Sequence, residues 1–524
     1  MVKMKVEFGG GCYGGWRLLE VVVMFITVSY GGGRWNEEFV MVGMYGLMQK
    51  HVDGVCCTYC YALFYSFYIV LTMEINVTST QIIKPSSPTS NEHKTYKLCL
   101  FDVFQLNTYF PLILFYRKTS DMQEFSNVST KLKDSLSKTL TIFYPLCGRR
   151  NDIFSIDCND EGAIYMEASI DMEMEEFLNP PKLELINKLL PCAPNKTHPY
   201  NKILPQILVQ VNIFKCGGIG IGLCNLHTIL DAYSCSLFLK SWSSICNGSL
   251  DEICEPNFSN SSLIFPPRNI RGVRKGVLNI NKGLEIELKC STRRFLFDNK
   301  SINKLKEISL KNDSVETKLH TSYKVVSSFI CKHMILACMK ETCEEIKRLV
   351  VVLHVVDMRR RMGESLLQNS IGNLLWPAMV VCENVKKDTK ISDMVKVLGD
   401  EIGKVNEELY LKLKNDPSFL WSDECGELML EGMENKNPIS FAFSSWVNMG
   451  FKEIDFGWGK PLWIAQRGGT KETIPNTVVL METCEGIEAW VTMDIKHLDD
   501  LKNDEEFHKF ALLNPNINFK RVDI

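Results

Sequence analysis

The stretch CGGIGIGLCNLHTILDAYSCSLFLKSW, residues 216–242, decides how the central part of this chain folds. Apolar and polar residues alternate just before it, in residues 209–213, and this alternation predicts a half-buried strand. Gly217 and Gly218 predict a tight turn, because glycine adopts positive φ angles without strain. Residues 219–223 resume the alternation, so the sequence predicts a hairpin of two strands.

The second strand of this hairpin leads to His227, and the hydrophobic period changes four residues later, at Asp231. From there the apolar residues recur at helical spacing as far as Trp242, and Asp231 is a suitable N-cap for that helix. His227 therefore lies where a strand gives way to a helix, a position from which a side chain reaches a cleft. A histidine four residues before an aspartate is common by chance, so a second motif has to support any catalytic interpretation.

The second motif is DFGWG, residues 455–459, followed by Lys460 and Pro461. HTILD and DFGWG together resemble the plant BAHD acyltransferases, which move acyl groups from coenzyme A thioesters onto alcohols or amines. The resemblance covers about residues 73–510 and is strongest to the vinorine synthase-like branch; it includes SIGNLLWPA at 370–378 and NTVVLMETCEGIEAWVTMD at 476–494. Ala232 stands where most members of the family have glycine after the aspartate.

This resemblance implies an α/β fold class, with two chloramphenicol acetyltransferase-like domains of mixed sheet plus helices. The N-terminal domain is expected at 73–242, a crossover linker at 243–290 and the C-terminal domain at 291–524.

The implied enzyme is an acyl-CoA-dependent O-acyltransferase that transfers acetyl from acetyl-CoA to a hydroxyl of a plant specialised metabolite such as an alkaloid. An aromatic acyl-CoA donor, an amine acceptor and a catalytically silent relative that only binds a ligand stay open as alternatives.

The chemistry of acyl transfer assigns His227 as the general base, since histidine titrates near neutrality. It would take the proton of the acceptor hydroxyl in a ternary complex and return it to the coenzyme A thiolate. The resemblance implies that Asp231 does not form a dyad with His227 but pairs with an arginine, for which Arg359 has the matching position.

The DFGWG residues are expected to support the active site structurally, namely Asp455, Phe456, Gly457 and Gly459. Two interpretations of Trp458 stay open: its indole N–H donates to the oxyanion or lines the substrate channel, or the side chain only packs within a structural loop. No metal site and no bound cofactor are expected, and acyl-CoA is expected as a co-substrate.

Composition agrees with a soluble enzyme of more than one domain. The chain has 524 residues, 45% of them hydrophobic, and a net charge of -3, which does not indicate a nucleic-acid partner. Its 20 cysteines are scattered, so we expect free thiols in a reducing compartment, and the isolated pair Cys57 and Cys60 does not form a metal motif. We expect a cytoplasmic monomer whose partners are acyl-CoA and a small alcohol.

Residues 1–72 differ from the rest, with glycine clusters and an uncharged run at residues 55–71. That run is close to the length of about 20 residues that a membrane span needs. Residues 1–72 are therefore a membrane anchor, an irregular extension, or an overextended gene model of a protein that starts at Met73. We favour the last, because the segment from Met73 resembles the start of a BAHD enzyme.

Local patterns predict further elements along the chain. Residues 98–106 read as a strand interrupted by Asp102, and residues 153–158 and 163–168 read as a hairpin. Apolar residues at helical spacing predict helices over 128–142 and 322–339.

Overall fold

A computed structural model gives the structure of the protein. It describes residues 16–26, 40–52, 55–61, 73–118, 125–150, 152–194, 198–199, 202–267, 290–310, 320–339, 350–362, 367–382, 385–415, 439–469 and 475–519. Contacts divide the chain into two units, residues 1–73 and residues 74–524.

In the first unit three strands form an antiparallel sheet: β1 (Trp16–Ile26), β2 (Val40–Val52) and β3 (Val55–Tyr61). The start of the uncharged run 55–71 is thus a strand, not the helix that an anchor would require, and residues 62–71 lie outside the described part. Within the described ranges no helix has the length and apolar character needed to cross a membrane.

The strands of the second unit are β4 (Ile75–Ile83), β5 (Thr95–Lys97), β6 (Tyr109–Tyr116), β7 (Arg149–Arg150), β8 (Ser155–Asp157), β9 (Ala163–Ile170), β10 (Ile207–Phe214), β11 (Ile219–Leu226), β12 (Cys290–Asp298), β13 (Val350–Asp357), β14 (Leu375–Cys382), β15 (Ile439–Ser445), β16 (Trp463–Ala465), β17 (Thr477–Glu482), β18 (Gly486–Asp494) and β19 (Leu512–Leu513). They form a six-stranded sheet in the order β16-β6-β11-β10-β9-β4, a seven-stranded sheet in the order β14-β13-β15-β17-β18-β12-β19 and a three-stranded sheet in the order β5-β8-β7. The two larger sheets mix parallel and antiparallel pairs.

The helices of this unit are α1 (Leu100–Phe104), α2 (Phe125–Ile142), α3 (Met174–Leu178), α4 (Ala232–Asn247), α5 (Asn260–Ile264), α6 (Asn299–Leu310), α7 (Ser322–Met339), α8 (Ile391–Gly403), α9 (Glu407–Asn415), α10 (Ile495–Lys502) and α11 (Glu505–His508). The predicted helices at 128–142 and 322–339 are confirmed as α2 and α7. The α/β fold class predicted above is confirmed.

Residues 209–242 form the predicted strands, turn and helix. Strands β10 and β11 pair in an antiparallel hairpin, and Gly217 in the turn has φ of 83°. Asp231 caps helix α4, since its carboxylate accepts a hydrogen bond from the Ser234 backbone N–H at 2.8 Å.

The prediction that residues 209–213 form a half-buried strand is wrong about burial, because β10 is buried along nearly all of its length, as β11 is along its whole length. A 3₁₀ turn at Ile186–Leu189 covers the polar side of the strands. Asn212 Nδ2 donates to the Leu189 carbonyl at 2.9 Å, and Gln210 Nε2 donates to the Lys188 carbonyl at 3.0 Å. The alternating polar residues therefore bind backbone, not water.

Two other local predictions are wrong for identifiable reasons. Residues 98–106 contain helix α1, because Asp102 Oδ2 accepts from the Cys99 N–H at 2.8 Å and closes a helical turn. Residues 153–158 and 163–168 do not pair: β8 pairs with β5 and β7, whereas β9 pairs with β10 and β4. Sequence proximity suggested a hairpin, but each of the two strands pairs with other strands.

Strand β16 connects the two halves of residues 74–524. It follows the DFGWG motif in sequence but pairs with β6, so the six-stranded sheet contains a strand from the C-terminal half. The hydrogen bond from Tyr116 Oη to the Ile454 carbonyl, 3.0 Å long, joins the same two regions. The two larger sheets are thereby held together, and side chains from both line the cavity described below.

Candidate active site

His227 follows the last residue of β11 and keeps the direction of that strand. Its backbone N–H donates to the Thr108 carbonyl at 3.0 Å, just before β6. Its ring meets the edge of the Phe110 ring, with 4.3 Å between centroids and an interplanar angle of 89°. Backbone and ring contacts together limit the orientations of the imidazole.

Asn373 binds both the ring and the backbone of His227. Its Nδ2 donates to the His227 carbonyl at 2.7 Å and to Asp102 Oδ1 at 2.8 Å. Its Oδ1 lies 2.9 Å from His227 Nδ1. Because both bonds of Nδ2 go to oxygen acceptors, Oδ1 is the acceptor for Nδ1–H. This arrangement selects the imidazole tautomer with hydrogen on Nδ1, so that Nε2 carries the free lone pair.

Asp102 holds Asn373 in turn. The carboxylate, which is fully buried, accepts from the Asn373 backbone N–H at 2.7 Å as well as from its side chain. Burial raises the pKa of Asp102 to about 6, although the donors from Asn373 and Cys99 act in the opposite direction. The group is therefore mostly ionised at neutral pH, and its negative charge lies one residue away from the imidazole.

The electrostatic environment keeps His227 neutral. Burial lowers the pKa of the His227 imidazole below its ordinary value, and hydrogen bonds with its own backbone and Asn373, together with the negative charge of Asp231, offset this only in part. A histidine that is neutral at pH 7 has a free ring nitrogen available to accept a proton.

The Asp231 carboxylate lies against Arg359, not against the imidazole. Arg359 Nη1 donates to Asp231 Oδ2 at 2.8 Å, and Nη2 lies 3.3 Å from Oδ1, so the pair is bidentate. The guanidinium also donates to the carbonyls of Ser370 and Gly372, at 3.1 and 2.8 Å. Arg359 thus joins the start of α4 to the turn that carries Asn373.

The DFGWG motif folds as a compact turn. Asp455 Oδ1 accepts from the backbone N–H groups of Gly457, Trp458 and Gly459 at 2.7, 3.1 and 2.9 Å. Gly457 and Gly459 both have φ of 101°, a conformation that favours glycine. Phe456 packs edge-on against Trp242 of α4, at 5.0 Å between centroids.

Trp458 is buried in this turn. Its ring stacks on Phe456 at 5.7 Å and meets Tyr116 edge-on at 6.1 Å. Among the described residues that line the cavity next to His227, none comes from 455–459. The structure therefore places the two sequence motifs apart, with the Trp458 ring packed inside the turn.

The cavity beside His227 has a volume of about 1030 Å³. It is large enough for a drug-sized ligand. Its walls come from both sheets and are mainly apolar, with Phe101, Phe104, Phe110, Leu375, Trp376 and Met379 among the lining residues. A cleft of this kind holds two organic substrates and excludes water around the reacting atoms.

Sequence reasoning named His227, Asp231 and Arg359 as candidates, but it did not name Asn373 and Asp102, which the structure joins to His227 by hydrogen bonds. An acidic residue inside the apolar run 98–106 was a signal, because a buried carboxylate requires specific partners. Its partner lies 271 residues away, so sequence spacing cannot reveal it.

Comparisons with known proteins assign this chain to a family. The model of the Transferase family matches residues 73–508. Akuammiline synthase 2 of Alstonia scholaris is 32% identical over 451 residues, which are 85% of this chain and 98% of that protein. Stemmadenine O-acetyltransferase of Catharanthus roseus is 33% identical over 82% of this chain and 97% of that protein.

Solved structures give the same assignment. The crystal structure of vinorine synthase matches with a TM-score of 0.68 and 28% identity, and the match covers 86% of this chain and all of that one. Fusarium sporotrichioides TRI101, in a complex with coenzyme A and T-2, shares the fold, with a TM-score of 0.62 and 17% identity. The chain belongs to the Transferase family of plant BAHD acyltransferases, in a group with vinorine synthase, and it is an acyltransferase.

Proposed function

We propose that this acyltransferase transfers an acetyl group from acetyl-CoA to a hydroxyl of a plant specialised metabolite, with an alkaloid-like alcohol as the preferred acceptor class. The relatives support the donor and the metabolite class, because stemmadenine O-acetyltransferase and the limonoid 21-O-acetyltransferase of Melia azedarach are named for such reactions. Acetyl-CoA acts as a co-substrate. We place the reaction in the cytoplasm and expect a monomer.

One observation carries the proposed role of His227: Asn373 holds its Nδ1, while the residue lines a large apolar cavity. Nε2 is then the ring nitrogen left for substrate. It takes the proton of the acceptor hydroxyl as the hydroxyl oxygen attacks the thioester carbonyl. The tetrahedral intermediate collapses with loss of the coenzyme A thiolate, and the imidazolium returns the proton to that sulfur. No acyl-enzyme forms, because the acceptor oxygen attacks the thioester directly.

The other predicted site residues support His227 from a distance. Asp231 and Arg359 set the position of α4 and of the turn with Asn373. Asp455, Phe456, Gly457 and Gly459 hold the loop that leads into β16, and Trp458 packs inside it.

Residues 73–524 are proposed as the catalytic part, with the domain boundaries given by the sequence. Fractionation and turnover of the full chain, compared with a chain that starts at Met73, test whether residues 1–72 contribute anchoring or activity.

The function is tested by release of free thiol from acetyl-CoA by the full-length protein. Alkaloid, terpenoid and phenolic alcohols, together with amine analogues, serve as acceptors, and aromatic acyl-CoA esters serve as alternative donors. We expect acceptor-dependent release with acetyl-CoA and an alcohol. Faster release with an aromatic donor or an amine would replace the proposed substrates. No release with any pair from folded protein would refute the proposed activity and leave only ligand binding.

A further inference from the structure

A row of three threonines crosses one face of the seven-stranded sheet inside the cavity. Thr292 of β12 and Thr492 of β18 are directly paired, and Thr492 is also paired with Thr477 of β17. Directly opposed residues project to the same side of a sheet. All three line the cavity, and the hydroxyls of Thr292 and Thr492 are 2.9 Å apart. This threonine row is a polar strip in a largely apolar pocket.

Arg467 lies at one end of the threonine row. Its Nη2 contacts Thr477 Oγ1 at 3.4 Å, and the side chain lines the same cavity. Within the residues that the structure describes, Arg467 forms no ion pair with a carboxylate. Burial lowers the pKa of the guanidinium to about 10. A partly buried cation without a neighbouring anion attracts a negatively charged ligand, so this site favours an anion.

Two further hydrogen-bond donors at this place have no partner among the described residues. Gln466 Nε2 belongs to a side chain that is 3% exposed, and Trp490 Nε1 to one that is 2% exposed. Both residues line the cavity, and Trp490 lies two residues from Thr492, on the same face of β18. Buried donors of this kind are normally satisfied, so the group that completes them is an oxygen acceptor.

The acidic residues that the structure describes in the cavity wall form no ion pair with Arg467. Asp231 and Asp357 accept from Arg359, and Glu401 and Glu408 pair with Lys404 and Lys412 at 2.7 and 3.1 Å. The guanidinium of Arg467 is therefore available to donate hydrogen bonds to an anionic ligand.

We propose that Gln466, Arg467 and Trp490, with the threonine row, bind a carboxylate of the acyl acceptor. This inference rests on the proposed function and narrows its substrate class to hydroxy acids. Arginine is well suited to carboxylate, since its planar fork of N–H groups matches the two oxygens.

The position of this subsite relative to His227 sets the size of the acceptor. Ala465, two residues before Arg467, pairs with Ile113 of β6, and Phe110 against the His227 ring lies three residues along that strand. Three residues of a strand span about 10 Å, and the antiparallel chain runs from Ala465 towards Phe110, so this length is an upper limit for the separation along the strand. A polycyclic molecule therefore reaches both places, with its carboxylate at Arg467 and its hydroxyl at His227.

Binding without turnover tests the subsite separately from the proposed function. The probes are gibberellic acid, deoxycholic acid and oleanolic acid, each compared with its methyl ester by calorimetry on the full-length protein. We expect at least one acid to bind about 10- to 100-fold more tightly than its ester, as a charge-assisted hydrogen bond predicts. Arg467→Gln should abolish this preference and Arg467→Lys should restore part of it. Lys452→Gln, which removes a surface cation paired with Glu482, should leave it unchanged.

Turnover kinetics identify which substrate occupies the subsite. For an acceptor that carries a carboxylate, Arg467→Gln should raise the acceptor KM about tenfold or more and leave the acetyl-CoA KM within twofold. A rise in the acetyl-CoA KM alone would overturn the proposal, because Arg467 would then bind a phosphate of the donor. Equal binding of every acid and its ester by the wild type would also overturn it. Absence of turnover despite a clear preference for the acid would refute the proposed function and not the subsite.

Discussion

At the scale of single residues, the orientation of one imidazole depends on a chain of hydrogen bonds from Asp102 through Asn373 to His227. Asp102 determines which way the Asn373 amide points, and Asn373 determines which nitrogen of His227 carries hydrogen. The sequence motifs contain only the last of these residues. The other two come from a helical turn near the start of the catalytic part and from a turn in its C-terminal half, so only the folded chain brings them together.

The first prediction concerns this chain of hydrogen bonds. Asn373→Leu should lower kcat about 10²-fold or more, because His227 loses the acceptor that selects its tautomer. It should also lower the free energy of unfolding by about 1–3 kcal/mol, since Asp102 is left with unsatisfied lone pairs. Steady-state kinetics and urea unfolding measure the two effects.

The double variant Asp102→Leu/Asn373→Leu separates these two effects. It also takes the acceptor away from the backbone N–H groups of Cys99 and Asn373, so stability should fall further while kcat stays low. A further fall of kcat in step with stability would show that Asn373 acts only on the fold.

The second prediction is the pH dependence of the reaction. His227 must be neutral to accept a proton, and burial lowers its pKa from 6.5. The value of kcat/KM should therefore be level between about pH 7 and 8, and it should fall as the pH drops through an apparent pKa below 6.5. The Asp102 carboxyl lies near His227 and has a pKa of about 6. The acid limb of the pH profile therefore reports the titration of both groups together. A limb well above pH 6.5, or a rate that increases in acid, would contradict a neutral base.

At the scale of elements, helix α4 connects the two sequence motifs. Its N-terminus is held by Asp231 and Arg359, and near its C-terminus Asn247 Nδ2 donates to the Asp455 carbonyl at 2.8 Å. The sequence predicted the helix and its cap. It also implied the partner of Asp231, but not that both motifs act through one helix.

The third prediction distinguishes capping from ion pairing at Asp231. Asparagine is as good an N-cap as aspartate, so Asp231→Asn should keep the bond to the Ser234 N–H and lose only the charge pairing with Arg359. Asp231→Ala removes both and should cost about 3–5 kcal/mol, as expected for a broken buried pair, with loss of activity because His227 moves. In urea unfolding, the free energy of unfolding should be highest for the wild type, lower for Asp231→Asn and lowest for Asp231→Ala. An Asp231→Ala protein with wild-type stability and no activity would instead indicate a direct catalytic role.

The fourth prediction concerns the glycines of β11. A Cβ atom on Gly222 would lie 2.1 Å from the Leu189 carbonyl oxygen, whereas on Gly220 its nearest neighbour would be 3.5 Å away. Gly222→Ala should therefore destabilise the protein by about 1–3 kcal/mol or more through overpacking. Gly220→Ala is the matched control, with a much smaller expected change in the urea midpoint. Equal midpoints for the two variants would mean that the 3₁₀ turn at Ile186–Leu189 adapts freely.

The sequence predicts hairpins well when a glycine turn separates two alternating runs, as for β10 and β11. It fails for residues 153–158 and 163–168, which pair with other strands and not with each other. It also fails for the burial of Gln210 and Asn212, because the segment that covers them follows no periodic pattern. Local chemistry decides turns and caps, while sheet order depends on contacts between residues far apart in the chain.

At the scale of the whole molecule, the cavity forms because strands from both halves of residues 74–524 meet around it. His227 and Phe110 come from the six-stranded sheet, and Trp376, Trp490 and the threonine row come from the seven-stranded sheet. The family and the fold class follow from the two motifs. The lining of the cavity, which selects the acceptor, depends on scattered residues and becomes visible only in the structure.

The central claim is that His227 is the base that activates the acceptor hydroxyl. The most direct measurement compares kcat of the wild type and His227→Ala on the best acceptor, with His93→Ala as control, since His93 stacks on Tyr144 outside the cavity. The account predicts a loss of about 10²- to 10⁴-fold for His227→Ala at unchanged unfolding midpoint, and full activity for His93→Ala. A folded His227→Ala protein that keeps more than a tenth of the wild-type rate would contradict it.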